Sequence, residues 1–134
     1  MSPYVFVAAA ALAMIPILAL FKINVEKLKQ DPSLQARVQN NMMIGVAISE
    51  GLPILLIVYG FSQMESVAEI SELYTPAIIL LFLVIFAVFF IFLQKKVDVP
   101  EEAKAMVTQF SLISTFLVLA IPIISIVALF MMLP

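Results

Sequence analysis

The chain contains no cysteine and no histidine. That excludes disulfides, thiol chemistry, His-based catalysis and the usual zinc sites. Charge is also scarce. Charged side chains make up 12% of the 134 residues and hydrophobic ones 64%, against about 25% and 45–50% in a soluble domain. So much apolar surface cannot be hidden inside so small a globule, and lipid is its natural solvent. The net charge of −2 gives no reason to expect nucleic acid as a partner. No loop holds a recognisable catalytic set. The loop carboxylates Glu65, Glu69, Glu72, Glu101 and Glu102 read as solvated faces.

What is present is a set of long apolar stretches: Pro3–Phe21, Met42–Phe61, Pro76–Leu93 and Ser111–Leu133. Each is near the ~20 residues that cross a hydrocarbon core. The first lacks the basic n-region of a cleaved signal, so it is expected to be a retained helix. The expected fold is an all-α membrane protein of four transmembrane helices in two tandem hairpins. Residues 1–62 form the first hairpin, 63–75 an acidic linker and 76–134 the second hairpin. All seven basic residues lie in two loops: Lys22, Lys27, Lys29 and Arg37, then Lys95, Lys96 and Lys104. The linker holds Glu65, Glu69 and Glu72 and no base. Positive loops stay in the cytoplasm. Loops one and three are therefore expected inside, with the linker and both termini outside.

The two hairpins resemble one another. Sliding the sequence by 69 residues lays Ala36–Phe61 on Ala105–Phe130 with eight identities in 26 positions, including Pro53 on Pro122. Both copies run out–in–out, a parallel repeat rather than the inverted kind that suggests alternating access.

One charged residue interrupts these stretches. Glu50 lies near the middle of the second, and its counterpart in the repeat is Leu119. A carboxylate at bilayer depth costs roughly 2.5 kcal/mol or more on insertion scales and usually marks an ion or proton path. Hydrocarbon disfavours its charged form. Glu50 is thus expected to be protonated against lipid or packed helices, and ionised where it meets water or an Arg from another subunit. Pro53 frees the carbonyl of Ser49, and Gly45 and Gly51 thin the helix nearby. The competing structural expectation is a protonated Glu50 bonded to Ser114, Thr115 or Ser125 of the fourth span. Ser111, Ser114 and Thr115 share a helical face there.

The run Ile44-Gly45-Val46-Ala47-Ile48-Ser49-Glu50-Gly51-Leu52-Pro53-Ile54 resembles the second helix of subunit c of F-type ATP synthases. That family reads Ile-Gly-x-Ala-Leu-x-Glu-Ala-Leu-Pro-Ile around its ion-carrying carboxylate. Pro32 precedes Glu50 by 18 residues, as the family's loop proline does. The resemblance covers Gln30–Phe61. A four-span chain with one carboxylate is similar to the duplicated proteolipids of V-type ATPases, in which the acid commonly sits in the last helix. The resemblance implies a rotor-ring subunit with Glu50 as proton carrier, supported by Gly45, Ser49, Gly51 and Pro53. Lys29, Gln30, Asp31 and Pro32 would face the central stalk. The implied partners are lipid, copies of the chain in a ring, an Arg-bearing stator and stalk subunits. The implied location is a bacterial-type inner or plasma membrane. No cofactor is implied. Sodium-binding members carry Ser or Thr after the Glu and Gln on the first helix. Gly51 and a first span without Gln favour protons.

The chain also departs from the family. Where first helices carry a glycine stripe, this one has Leu12, Met14, Pro16 and Leu18, with small Ala9, Ala11 and Ala13 slightly earlier. The third span is rich in Phe82, Phe86, Phe89, Phe90 and Phe92, and Gln30 replaces the loop Arg. These departures suit a non-rotary relative, such as an assembly or scaffold subunit. A small proton-coupled transporter is a further alternative.

Overall fold

The computed structural model describes residues 3–134; residues 1 and 2 of the expected first hairpin lie outside it. The described chain is helical throughout, without a strand. The long elements are α1 (Tyr4–Gln30), α2 (Gln35–Ser49), α3 (Gly51–Ser62), α4 (Tyr74–Lys96) and α5 (Lys104–Met131). Short 3-10 turns at Pro32–Leu34, Ile70–Leu73 and Glu101–Ala103 lead into α2, α4 and α5. Three helices are long and apolar enough to cross a membrane, and a fourth crossing exists if α2 and α3 count as one bent span.

Local chemistry sets the ends. Lys27 and Lys29 occupy the last turn of α1, and Lys95 and Lys96 that of α4, where cations meet the negative end of the helix dipole. Asp31 caps the next turn by accepting from the Ser33 N–H at 3.0 Å, with Pro32 at the first position. Glu69 and Glu72 form a reciprocal capping box ahead of α4, the Glu69 N–H reaching Glu72 Oε2 at 2.8 Å. Two linker acids thus have a structural task. After Val97, Asp98 takes φ 53°, the left-handed region that Asp tolerates better than most residues.

α1 is the hub. It packs on every other long helix, most extensively on α5; α4 packs on α1 and α5, and α2 and α3 mainly on α1. Its buried face runs through Phe6, Ala9, Ala10, Ala13, Ile17, Phe21, Val25 and Leu28, at the three- and four-residue spacing of one helical side. The small residues Ala9, Ala10 and Ala13 admit close neighbours. Phe21 stacks on Phe110 of α5 at 5.7 Å, and Phe6 meets Phe61 of α3 edge-on at 5.6 Å. By contrast, α4 buries only Pro76, Leu80, Ala87 and Ile91 and turns Phe82, Phe86, Phe89 and Phe92 outward.

Polar bonds gather the chain ends into two groups. At one end the Lys22 ammonium donates to Gln94, Lys29 to the Val97 carbonyl, and Gln35 to Gln109. At the other the Val67 N–H reaches the Met132 carbonyl at 2.9 Å, and Ser125 Oγ donates to the Phe6 carbonyl at 3.0 Å. Loops one and three therefore share one end, and the acidic linker shares the other with the start of α1 and the end of α5.

Helices that correspond in the repeat take different places: α1 is central, whereas its counterpart α4 is peripheral. The aligned prolines also act differently. Around Pro53 the helix breaks and bends by 42°, whereas Pro122 lies inside the continuous α5.

Glycine use can be tested directly. A Cβ on Gly60 would stand 2.7 Å from Phe6 Cζ, 2.8 Å from Cε1 and 3.1 Å from Val5 Cγ1, while one on Gly51 would meet nothing within 4 Å. The Phe6 ring is pinned against Phe61 and cannot swing aside freely. Gly60→Ala is expected to destabilise the detergent-solubilised protein by about 1–3 kcal/mol, the usual cost of overpacking. Gly51→Ala is expected to leave its thermal midpoint unchanged or raise it, since Ala suits a helix better. Equal midpoints for the two variants would refute this packing.

Candidate membrane carboxylate site

The inward-facing residues of α2 and α3 are Val38, Met42, Val46, Pro53, Ile57 and Gly60. The gap between Val46 and Pro53 is filled by Glu50, four residues after one and three before the other. Glu50 therefore lies on the stripe that packs toward α1, at the break between the helices, and is half-buried. Its neighbours Ile48, Gly51 and Leu52 are exposed, Ile48 to 77%. The carboxylate thus sits at the edge of the seam, with an apolar outer surface beside it.

The break has a local cause. Pro53 has no N–H to give the Ser49 carbonyl, and its ring crowds that carbonyl. The ladder resumes around it, with the Glu50 N–H on the Val46 carbonyl and the Ile54 N–H on the Glu50 carbonyl, both at 2.9 Å. The register against α1 follows from two close approaches. Gly45 faces Leu20, and Gly60 faces Phe6 and Val5. Because the helices run antiparallel, these approaches bring Glu50 level with Pro16. That proline lies inside α1 and similarly deprives the Leu12 carbonyl of its helical donor.

Among the described residues the Glu50 carboxylate makes no hydrogen bond and no ion pair. The hydroxyls considered as its partners are placed otherwise. Ser125 donates to the Phe6 carbonyl and Thr115 to the Ser111 carbonyl. Ser114 is fully buried with no partner.

The supporting residues divide. Pro53 shapes the bend beside Glu50, and Ser49 ends α2 immediately before it. Gly45 serves the approach to α1, and Gly51 is open on the outer side. In the first loop Gln30 and Asp31 are exposed and Pro32 is half-buried. Lys29 departs from the stalk-facing expectation. It is 5% exposed, and its ammonium donates to the Val97 carbonyl at 2.7 Å, with Glu26 at 3.5 Å. It joins the first loop to the third rather than facing outward.

No family model, curated protein or solved structure matches this chain.

Proposed function

We propose that the chain is a proton-carrying membrane subunit of the subunit c type, with Glu50 binding and releasing the proton. The observation that carries this reading is the half-buried Glu50 at a proline-induced bend, with no cation and no hydrogen-bond donor on its carboxylate among the described residues. Such a carboxyl is stable in the protonated form within the seam. It ionises when a water path or a partner's guanidinium reaches it. The exposed apolar surface beside it is where a second copy, or an Arg-bearing stator subunit, would come close. In this reading loops one and three lie in the cytoplasm. The termini and acidic linker lie outside a bacterial-type inner or plasma membrane. Exposed Gln30 and Asp31 would face the central stalk, and the ion is the proton rather than sodium.

One observation favours a second reading, a non-rotary relative that acts as a scaffold in a membrane complex. α1 is the hub of the bundle and buries Met14, Ile17 and Phe21 within its own chain. A ring needs that helix to pack on its neighbours' copies instead. Particle images of the protein purified in mild detergent distinguish the two. Closed rings are expected for the rotor subunit. Uniform monomers or small hetero-complexes would overturn the rotary reading.

A further inference from the structure

Away from Glu50, α4 and α5 part at their loop-three end. A groove of about 220 Å³ opens between them, with Ile91, Phe92 and Leu112 as apolar walls and Lys95, Thr108 and Ser111 at its polar side. Lys95 and Thr108 also line an adjoining polar cleft of about 190 Å³, together with Lys96, Lys104 and one carboxylate, Glu101. The shared residues make the two spaces continuous, apolar toward the span and cationic toward the loop. Three lysines face one acid there. Among the described residues none of the three forms an ion pair, and Lys96 lies 5.7 Å from the Phe92 ring centroid. A second observation points to a polar ligand group. Ser111 is 2% exposed, lines the groove, and has an Oγ with no hydrogen-bond partner.

From this arrangement we infer a binding site for one anionic phospholipid. The phosphate sits among Lys95, Lys96 and Lys104, with the Thr108 hydroxyl donating to it. The polar linkage lies at the level of Ser111, and one acyl chain runs along Ile91, Phe92 and Leu112. Basic pockets between membrane helices recognise lipid headgroups by this combination of charge and depth. A free phosphate would use the lysines alone and leave the apolar groove without an occupant. The inference requires the chain to lie in a membrane and is independent of the role of Glu50.

The test is native mass spectrometry of the full chain in detergent. It is titrated with phosphatidylglycerol, with phosphatidylcholine of the same acyl chains, and with glycerol phosphate. One phosphatidylglycerol is expected to bind at least about tenfold more tightly than phosphatidylcholine, and glycerol phosphate only weakly. Lys95→Gln with Lys104→Gln is expected to weaken phosphatidylglycerol about thirtyfold, the effect of removing two surface lysines from an anionic headgroup. Lys27→Gln with Arg37→Gln removes equal charge elsewhere and is expected to change nothing. Leu112→Trp, at an exposed position, fills the groove and is expected to displace the lipid with helix content intact. Equal binding of the two lipids, an equal loss from the Lys27–Arg37 pair, or full affinity for glycerol phosphate would each overturn the site.

Discussion

Glu50→Gln is expected to abolish proton flux through membranes that hold the chain with its partners, measured as decay of a pH-gradient dye signal. Gln keeps the size and hydrogen-bonding capacity of the acid but cannot take up and release a proton. The half-buried position on the α1-facing stripe, between Val46 and Pro53, can therefore stay packed while the chemistry is lost. Glu50→Asp keeps the titratable group one methylene shorter and is expected to retain a fraction of the flux. Glu50→Leu copies Leu119, the corresponding residue of the second hairpin, and is expected to lose flux while raising thermal stability. It removes a half-buried polar group that has no hydrogen-bond partner among the described residues, and such groups cost stability. A site kept for structure alone would show the reverse, with Gln and Leu destabilising and flux untouched. A carbodiimide should label the wild-type chain at Glu50, with the same loss of flux. Normal flux through Glu50→Gln membranes ends the proton-carrier reading.

Glu50 was legible because it is the single charge in an apolar run, and no structure is needed to see that. The apolar runs were legible for the same kind of reason, but the helix limits were not: α1 runs on to Gln30, nine residues past Phe21, and α5 begins at Lys104, seven residues before Ser111. Pro76–Leu93 falls inside Tyr74–Lys96. The arrangement of the helices was much less legible. In water a polar face tells the outside of a helix from the inside. In lipid both surroundings are apolar, and that signal vanishes. The four spans look alike by hydropathy, yet α1 is the hub and α4 is peripheral. Of the small residues Ala9, Ala11 and Ala13 in the first span, Ala9 and Ala13 lie on its buried face, where small side chains permit the close packing that a hub needs.

The bend at Glu50 was half legible. Pro53 announces a weak point, but Pro122 announces the same one and leaves α5 continuous. The physical difference is lateral support. α5 is held by both α1 and α4, whereas α2 and α3 rest mainly on α1. A helix supported on one side yields at its proline, and one supported on two sides is held straight. The hydroxyls of the fourth span show another limit. Composition made Ser125 a candidate partner for Glu50, but the antiparallel register carries it to the Phe6 carbonyl instead.

Lys29→Met is expected to cost about 2 kcal/mol of stability and to release the third loop. Sequence offers no sign of this, because the partner of Lys29 is a backbone carbonyl 68 residues away, that of Val97. The side chain is 5% exposed, so neither salt nor solvent weakens the bond much. A hydrogen bond to a charged group contributes roughly 1.5–3 kcal/mol. Met keeps the apolar stem and its packing, so the loss is that of the ammonium alone. The neighbouring bond from Lys22 to Glu26 at 2.9 Å remains, since it does not pass through Lys29. Val97 immediately precedes Asp98 in its left-handed turn. Freeing that carbonyl should therefore loosen the whole connection to Lys104. Two measurements check this. The thermal midpoint in detergent should fall for Lys29→Met and stay put for Lys27→Met, whose side chain is exposed. Trypsin should cut at Lys95, Lys96 and Lys104 faster in the first variant than in the second. Identical midpoints and cleavage rates for the two would mean that the first and third loops are not held together by this lysine.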